Sequence, residues 1–97
     1  MQIKSTKLLV EEALEIVKTI TPSEAKEMLK NSDKSILIDI RDIRELQKTG
    51  TIEGSRHMPR GMLEFWLDPQ SPYYKKDMPI VMNKILFCGS NWRSALA

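Results

Sequence analysis

Apolar positions along this chain follow two different rhythms. In residues 7–18, Leu9, Ala13, Ile16 and Val17 recur at near-helical spacing, which predicts an N-terminal helix over about 6–18 with one apolar face. Thr21-Pro22-Ser23-Glu24 marks a second helix start: Thr21 can cap, proline suits the first helical position, and Glu24 closes a capping box. Ala25, Met28 and Leu29 then form the inner face of a short helix ending near Asn31 and Ser32. Residues 36–40 (Ile-Leu-Ile-Asp-Ile) break that rhythm. A short, mainly β-branched run predicts a strand buried on both faces, as in a parallel sheet. A helix over 42–48 with Gly50 to end it, a brief strand within 54–59, and a helix over 61–67 follow. Asp68-Pro69-Gln70-Ser71-Pro72 reads as a turn, and residues 84–87 as a second buried strand. Apolar strands alternating with helices predict an α/β fold with a central, mainly parallel sheet flanked by helices.

Length and composition narrow the function. The 97 residues suit one domain, residues 1–97, with a thin core. Apolar residues at 41% and charged residues at 29% are the balance of an ordinary globular protein. A net charge of +2, without a block of Lys/Arg, argues against nucleic-acid binding and supports no more than weak attraction of small anions. A single cysteine cannot form an intrachain disulfide. No apolar run approaches the ~20 residues that span a bilayer, and Glu11-Glu12 directly follow Leu8-Leu9-Val10, so no signal-type stretch opens the chain. No membrane partner and a cytoplasmic location are expected.

The chemistry is concentrated after the last strand, in Cys88-Gly89-Ser90-Asn91-Trp92-Arg93-Ser94, followed by the helix formers Ala95-Leu96-Ala97. A tight loop between a strand's carboxyl end and a helix start is where open α/β sheets bind ligands. Successive backbone N–H groups there can face an anion, and they also favour a thiolate, the reactive form of cysteine. Arg93 adds a permanent positive charge, and Gly89 removes a side chain where the backbone turns. A lone cysteine at a strand end is commonly a small buried hydrophobe. The combination of strand, Cys, Gly, polar residues, Arg-Ser and helix moves the reading towards a nucleophile.

This combination resembles the active-site loop of single-domain rhodaneses, which has the form Cys-x4-Arg-Ser. The resemblance extends upstream to Leu37-Ile38-Asp39-Ile40-Arg41 followed by Glu45, to Gly50-Thr51-Ile52-Glu53-Gly54-Ser55, and to Met58-Pro59. Residues 59–66 and 68–73 are similar to a bacterial subgroup of stand-alone rhodanese domains, and the similarity covers about 20–97. It implies that Cys88 is the nucleophile. The cysteine would take a sulfane sulfur from a small anionic donor such as thiosulfate, hold it as a persulfide, and pass it to a thiol, cyanide or a protein acceptor. The loop Gly89, Ser90, Asn91, Trp92, Arg93 and Ser94 would bind the donor. Its amides would stabilise the terminal sulfur and the donor's oxygens, Arg93 would help hold the anion, and Ser94 would bond within the loop or cap the next helix. No cofactor and no metal are implied. Related phosphatases and arsenate reductases carry one more residue between Cys and Arg. Only four separate Cys88 from Arg93 here, which favours sulfur over phosphate.

Several other residues invite a role. Asp39 and Arg41 are read as supporting: Asp39 would receive N–H groups at a strand end, and Arg41 would pair with Glu45 or help hold the cysteine loop. His57 is expected to be solvated or locally bonded. Phe65 and Trp66 are expected in the core or pocket wall. Trp92, inside the loop, is a candidate for lining the mouth, with simple packing as the alternative. The resemblance also implies a longer helix, a further strand and a last helix beyond Ala97. Without them the sheet would keep an unpaired edge and exposed apolar surface, as expected of a fragment, a trimmed chain, or one completed by a partner through swapping. Three functions stay open: a sulfurtransferase; a non-catalytic persulfide carrier or interaction module, suited by the lack of a resolving cysteine; and an inactive structural domain.

Overall fold

The computed structural model describes residues 3–31, 34–77 and 83–97. In chain order its elements are α1 (Thr6–Ile16), α2 (Pro22–Asn31), β1 (Ser35–Asp39), α3 (Ile43–Thr49), β2 (Arg56–His57), a single 3-10 turn at Arg60–Met62, α4 (Leu63–Leu67), β3 (Asn83–Phe87) and α5 (Trp92–Leu96). The three strands form one parallel sheet in the order β2-β1-β3. The central strand is the Ile-Leu-Ile-Asp run, whose last three residues are buried. β-branched side chains pack well on a pleated surface, and only a middle strand can bury both faces.

Register positions the chemistry. Asp39 pairs with Phe87 across β1 and β3, and Ile40 N–H extends the ladder by donating to the Phe87 carbonyl at 3.2 Å. The carboxyl ends of the two strands are therefore level, and Cys88 emerges beside Ile40. Ile38, Ile40, Met58 and Leu63 form the core beneath, with Trp66, Leu86 and Cys88 packed against it.

The differences from expectation have local causes. The N-terminal helix stops at Ile16, where Val17 turns extended (ψ 148°), and not near residue 18. Its buried residue is Val10, while Ile16 is 86% exposed. Of the expected face, Ala13 is half-buried, whereas Leu9, Ile16 and Val17 stay exposed, as does Leu14. α1 packs against α5, and the residue it buries is Val10, not a member of the expected face. α2 opens with the expected capping box: Glu24 N–H donates to Thr21 Oγ1 (3.1 Å) and Thr21 N–H to Glu24 Oε1 (3.3 Å). Ser32, placed near its end, lies outside the described residues. β2 is shorter than 54–59 because Gly54 takes φ 83° in a turn that Ser55 closes on Ile52. β3 is half-buried, not fully buried, as an edge strand must be. A cavity of about 760 Å³ runs beside it, bounded by Val17, Lys18, Ile20, Met28, Leu86 and Ala95. Among the described residues, no helix is long and apolar enough to cross a membrane.

Candidate active site

α5 begins at Trp92, three residues earlier than its alanines suggest, so Arg93 and Ser94 occupy its first turn. The tight connection after β3 is therefore Cys88 to Asn91. Asn91 makes it possible by adopting the left-handed region (φ 66°), which an asparagine tolerates better than most residues. This geometry folds the start of α5 back over the cysteine. Ser94 N–H donates to Cys88 Sγ at 3.4 Å, and Ser94 Oγ lies 3.4 Å from the same sulfur. Burial alone pushes the Cys88 thiol up. The Ser94 hydroxyl and the amides of Ser94, Ser90 and Arg93 more than reverse this, bringing it down to about 7. Cys88 is half-buried and, near neutral pH, divided between thiol and thiolate. The donors on the sulfur are individual groups of the loop and of the first turn of α5.

Arg93 is engaged. Its guanidinium forks onto Glu45 of α3 at 2.5 and 3.0 Å, a bidentate pairing that arginine geometry favours. The Arg93 bond draws the Glu45 carboxyl below its ordinary value, and Glu45, assisted by Cys88, raises Arg93. Gly89 lies against this pair: a Cβ there would stand in van der Waals contact with Arg93 Nη2, at 3.4 Å. The expected Arg41–Glu45 pairing does not form. Glu45 has gone to Arg93.

Arg41 pairs with Asp39 instead. Asp39 is fully buried at the end of β1 and accepts from Arg41 N–H (3.1 Å), Arg41 Nε (3.0 Å), Arg41 Nη2 (2.8 Å) and Thr51 Oγ1 (2.6 Å). Burial raises this carboxyl, and the Arg41 and Thr51 hydrogen bonds bring it below its usual value. Arg41 also donates to the Gly50 carbonyl (2.8 Å) and Thr49 Oγ1 (3.2 Å), and its guanidinium lies 5.9 Å over the Phe87 ring. The N–H groups expected at Asp39 from the next helix or loop thus come from the loop, at Arg41. The network fixes the turn after α3, where Gly50 sits at φ 75°.

Cys88 borders a second cavity, of about 440 Å³, walled by Arg41, Thr51, Phe87 and Gly89. The cysteine loop and the Asp39–Arg41 network therefore face one space. Trp92 is 48% exposed and lines neither cavity, because helix position 1 turns its indole outward. His57 is locally bonded, its ring Nε2 2.8 Å from the Arg41 carbonyl. Trp66 packs on the core, whereas Phe65 is 46% exposed against Tyr73. Ser94 bonds within the loop, as one of its two readings expects, and lies inside α5, not at its cap. Thr51 and Thr49 escaped sequence reasoning; a threonine beside a turn glycine carries no distinctive signal.

Residues 21–97 match the rhodanese-like domain family. The chain belongs to that family. A solved structure with the same fold is a protein of unknown function from Rhodopseudomonas palustris, described as a possible tyrosine phosphatase. It is 37% identical, with a TM-score of 0.88, over 99% of this rhodanese-like chain and 74% of the neighbour. No curated protein matches.

Proposed function

We propose that this rhodanese-like chain is a sulfurtransferase working through a Cys88 persulfide. The observation that carries the reading is the concentration of donors on Cys88 Sγ: the Ser94 hydroxyl and the Ser90, Arg93 and Ser94 amides, which bring the thiol to about 7. Such a sulfur is substantially ionised at neutral pH without a general base. The thiolate attacks the outer sulfur of thiosulfate. A Cys88 S–S bond forms, the donor's S–S bond breaks, and sulfite leaves with the electron pair. The same amides then face the terminal persulfide sulfur. A thiolate or cyanide acceptor attacks that sulfur, and Cys88 leaves as thiolate. Asp39 and Arg41 hold the cavity wall. Gly89 and Asn91 shape the turn, and Arg93, tied to Glu45, holds the loop while lending it positive charge.

The neighbour's description raises phosphate-ester cleavage as the rival. The four-residue spacing from Cys88 to Arg93 and the commitment of Arg93 to Glu45 both disfavour it, because a phosphate needs a wider cradle and a guanidinium aimed at its oxygens. Mass spectrometry after thiosulfate treatment should show one added sulfur on Cys88, removable by cyanide as thiocyanate. Cleavage of an aryl phosphate with no sulfur gain would reverse the assignment. Sulfur gain with transfer only to a protein acceptor would make the chain a carrier.

A further inference from the structure

Ser94 has one hydroxyl proton and two acceptors for it. Its Oγ is 2.8 Å from Asn91 Oδ1 and 3.4 Å from Cys88 Sγ. A hydroxyl donates once at a time. A bond given to Asn91 is therefore withheld from the sulfur. Asn91 is well set to compete: its backbone is fixed at φ 66°, and its Nδ2 points to Thr19 Oγ1 at 3.5 Å, which turns the carbonyl end of the amide towards Ser94. Its side chain makes no cap bond to α5, so its oxygen is committed to Ser94 alone among the described contacts.

We infer that Asn91 is a positioning residue that governs the Cys88 nucleophile through Ser94, by drawing the hydroxyl proton away from the sulfur. With Cys88 protonated, S–H donates to Ser94 Oγ and Ser94 donates to Asn91, a continuous chain of two bonds. With Cys88 ionised, Ser94 turns its proton to the sulfur and the bond to Asn91 breaks. Asn91 thus favours the protonated sulfur and keeps it more basic than the loop donors alone would leave it. That matters for transfer, because nucleophilicity falls as a thiol becomes more acidic, and attack is fastest when the thiol titrates near ambient pH. The other charged groups facing Cys88 are Arg93 with its partner Glu45, Arg41 across the smaller cavity, and Lys18 and Lys84 along the larger one. None changes when Asn91 is replaced.

The inference rests on Cys88 being the nucleophile proposed above, and the test separates the two. The measurement is the pH dependence of Cys88 alkylation by iodoacetamide in the whole chain. Asn91→Gly removes the side chain and suits the positive φ. It should lower the apparent pKa by about half a unit, making alkylation about threefold faster well below it. Ser94→Ala should raise the apparent pKa by about one unit, as expected for losing a hydrogen bond to a charged group. The double variant should match Ser94→Ala alone, since Asn91 acts only through Ser94. Asn91→Asp, which retains the acceptor and strengthens it, should raise the apparent pKa, and less so when Ser94 is alanine. An unchanged or raised value in Asn91→Gly, or an Asn91→Gly shift that persists when Ser94 is alanine, overturns the role of Asn91. An unmodified chain that alkylates like an ordinary exposed thiol overturns the nucleophile reading itself.

Discussion

Two arginine–carboxylate pairs flank Cys88, and they differ in how much water they see. In Asp39–Arg41 the side chains are 0% and 14% exposed; in Glu45–Arg93 they are 39% and 37% exposed. The first joins the end of the central strand to the turn after α3. The second joins α3 to the first turn of α5. A buried carboxylate stripped of its partners is costly, whereas an exposed pair contributes little to stability. The contrast assigns the two pairs different work. One holds the fold around the cavity, and the other holds the loop in position over it.

Removing the buried member should have the largest effect. Asp39→Ala leaves Arg41 and Thr51 without their shared acceptor and should cost roughly 3 kcal/mol of unfolding free energy, read by chemical denaturation. Because the Asp39 carboxyl sits below its ordinary value in the folded chain, its contribution is complete above the usual carboxylate range. It is lost as pH falls through that lower folded value, so acid should narrow the gap between Asp39→Ala and the unmodified chain. A variant as stable as the parent would erase the distinction. At the exposed pair, Glu45→Gln should leave the melting temperature nearly unchanged while slowing sulfur loading from thiosulfate by about tenfold, through a loosened loop. Equal losses of stability and rate would show that both pairs merely hold the fold. Loading should also rise about tenfold between roughly pH 6 and pH 8, following ionisation of Cys88 around 7, and flatten above. A flat profile would mean that the loop donors, held in place by the exposed pair, do not make the thiol acidic. The smallest effect is of salt: raising ionic strength to about 1 M should slow loading by a factor of about two while leaving the Asp39 contribution intact, because screening reaches exposed charges first.

Much of this was legible in the chain. The β-branched run ending in Asp39, the capping box at Thr21, and the strand leading into Cys88 each declare themselves through local chemistry, and the structure places them accordingly. The pairing of charges was not legible. Arg41, Glu45 and Arg93 can pair in more than one way at the sequence level, and only the level ends of β1 and β3 bring α3 within reach of α5. The start of α5 was misplaced for a related reason. Alanines advertise helix, but Trp92, Arg93 and Ser94 are drawn into it by the left-handed turn at Asn91, a backbone event with a weak signature in a single asparagine. The face that α1 buries was not legible either: Val10 goes under while the expected Leu9, Ile16 and Val17 stay exposed, and the surface of α5 decides it.

That surface has a consequence of its own. α1 lies before the stretch that matches the family, yet it packs on α5, where Val10 and Ala95 are the buried residues of the two helices. α5 is also the segment that carries Ser94 to the sulfur. A substitution in residues 6–16 that shifts α5 therefore moves Ser94 relative to Cys88 Sγ without touching any residue of Cys-x4-Arg-Ser. The surroundings of Cys88 thus have a support outside the stretch that matches the family.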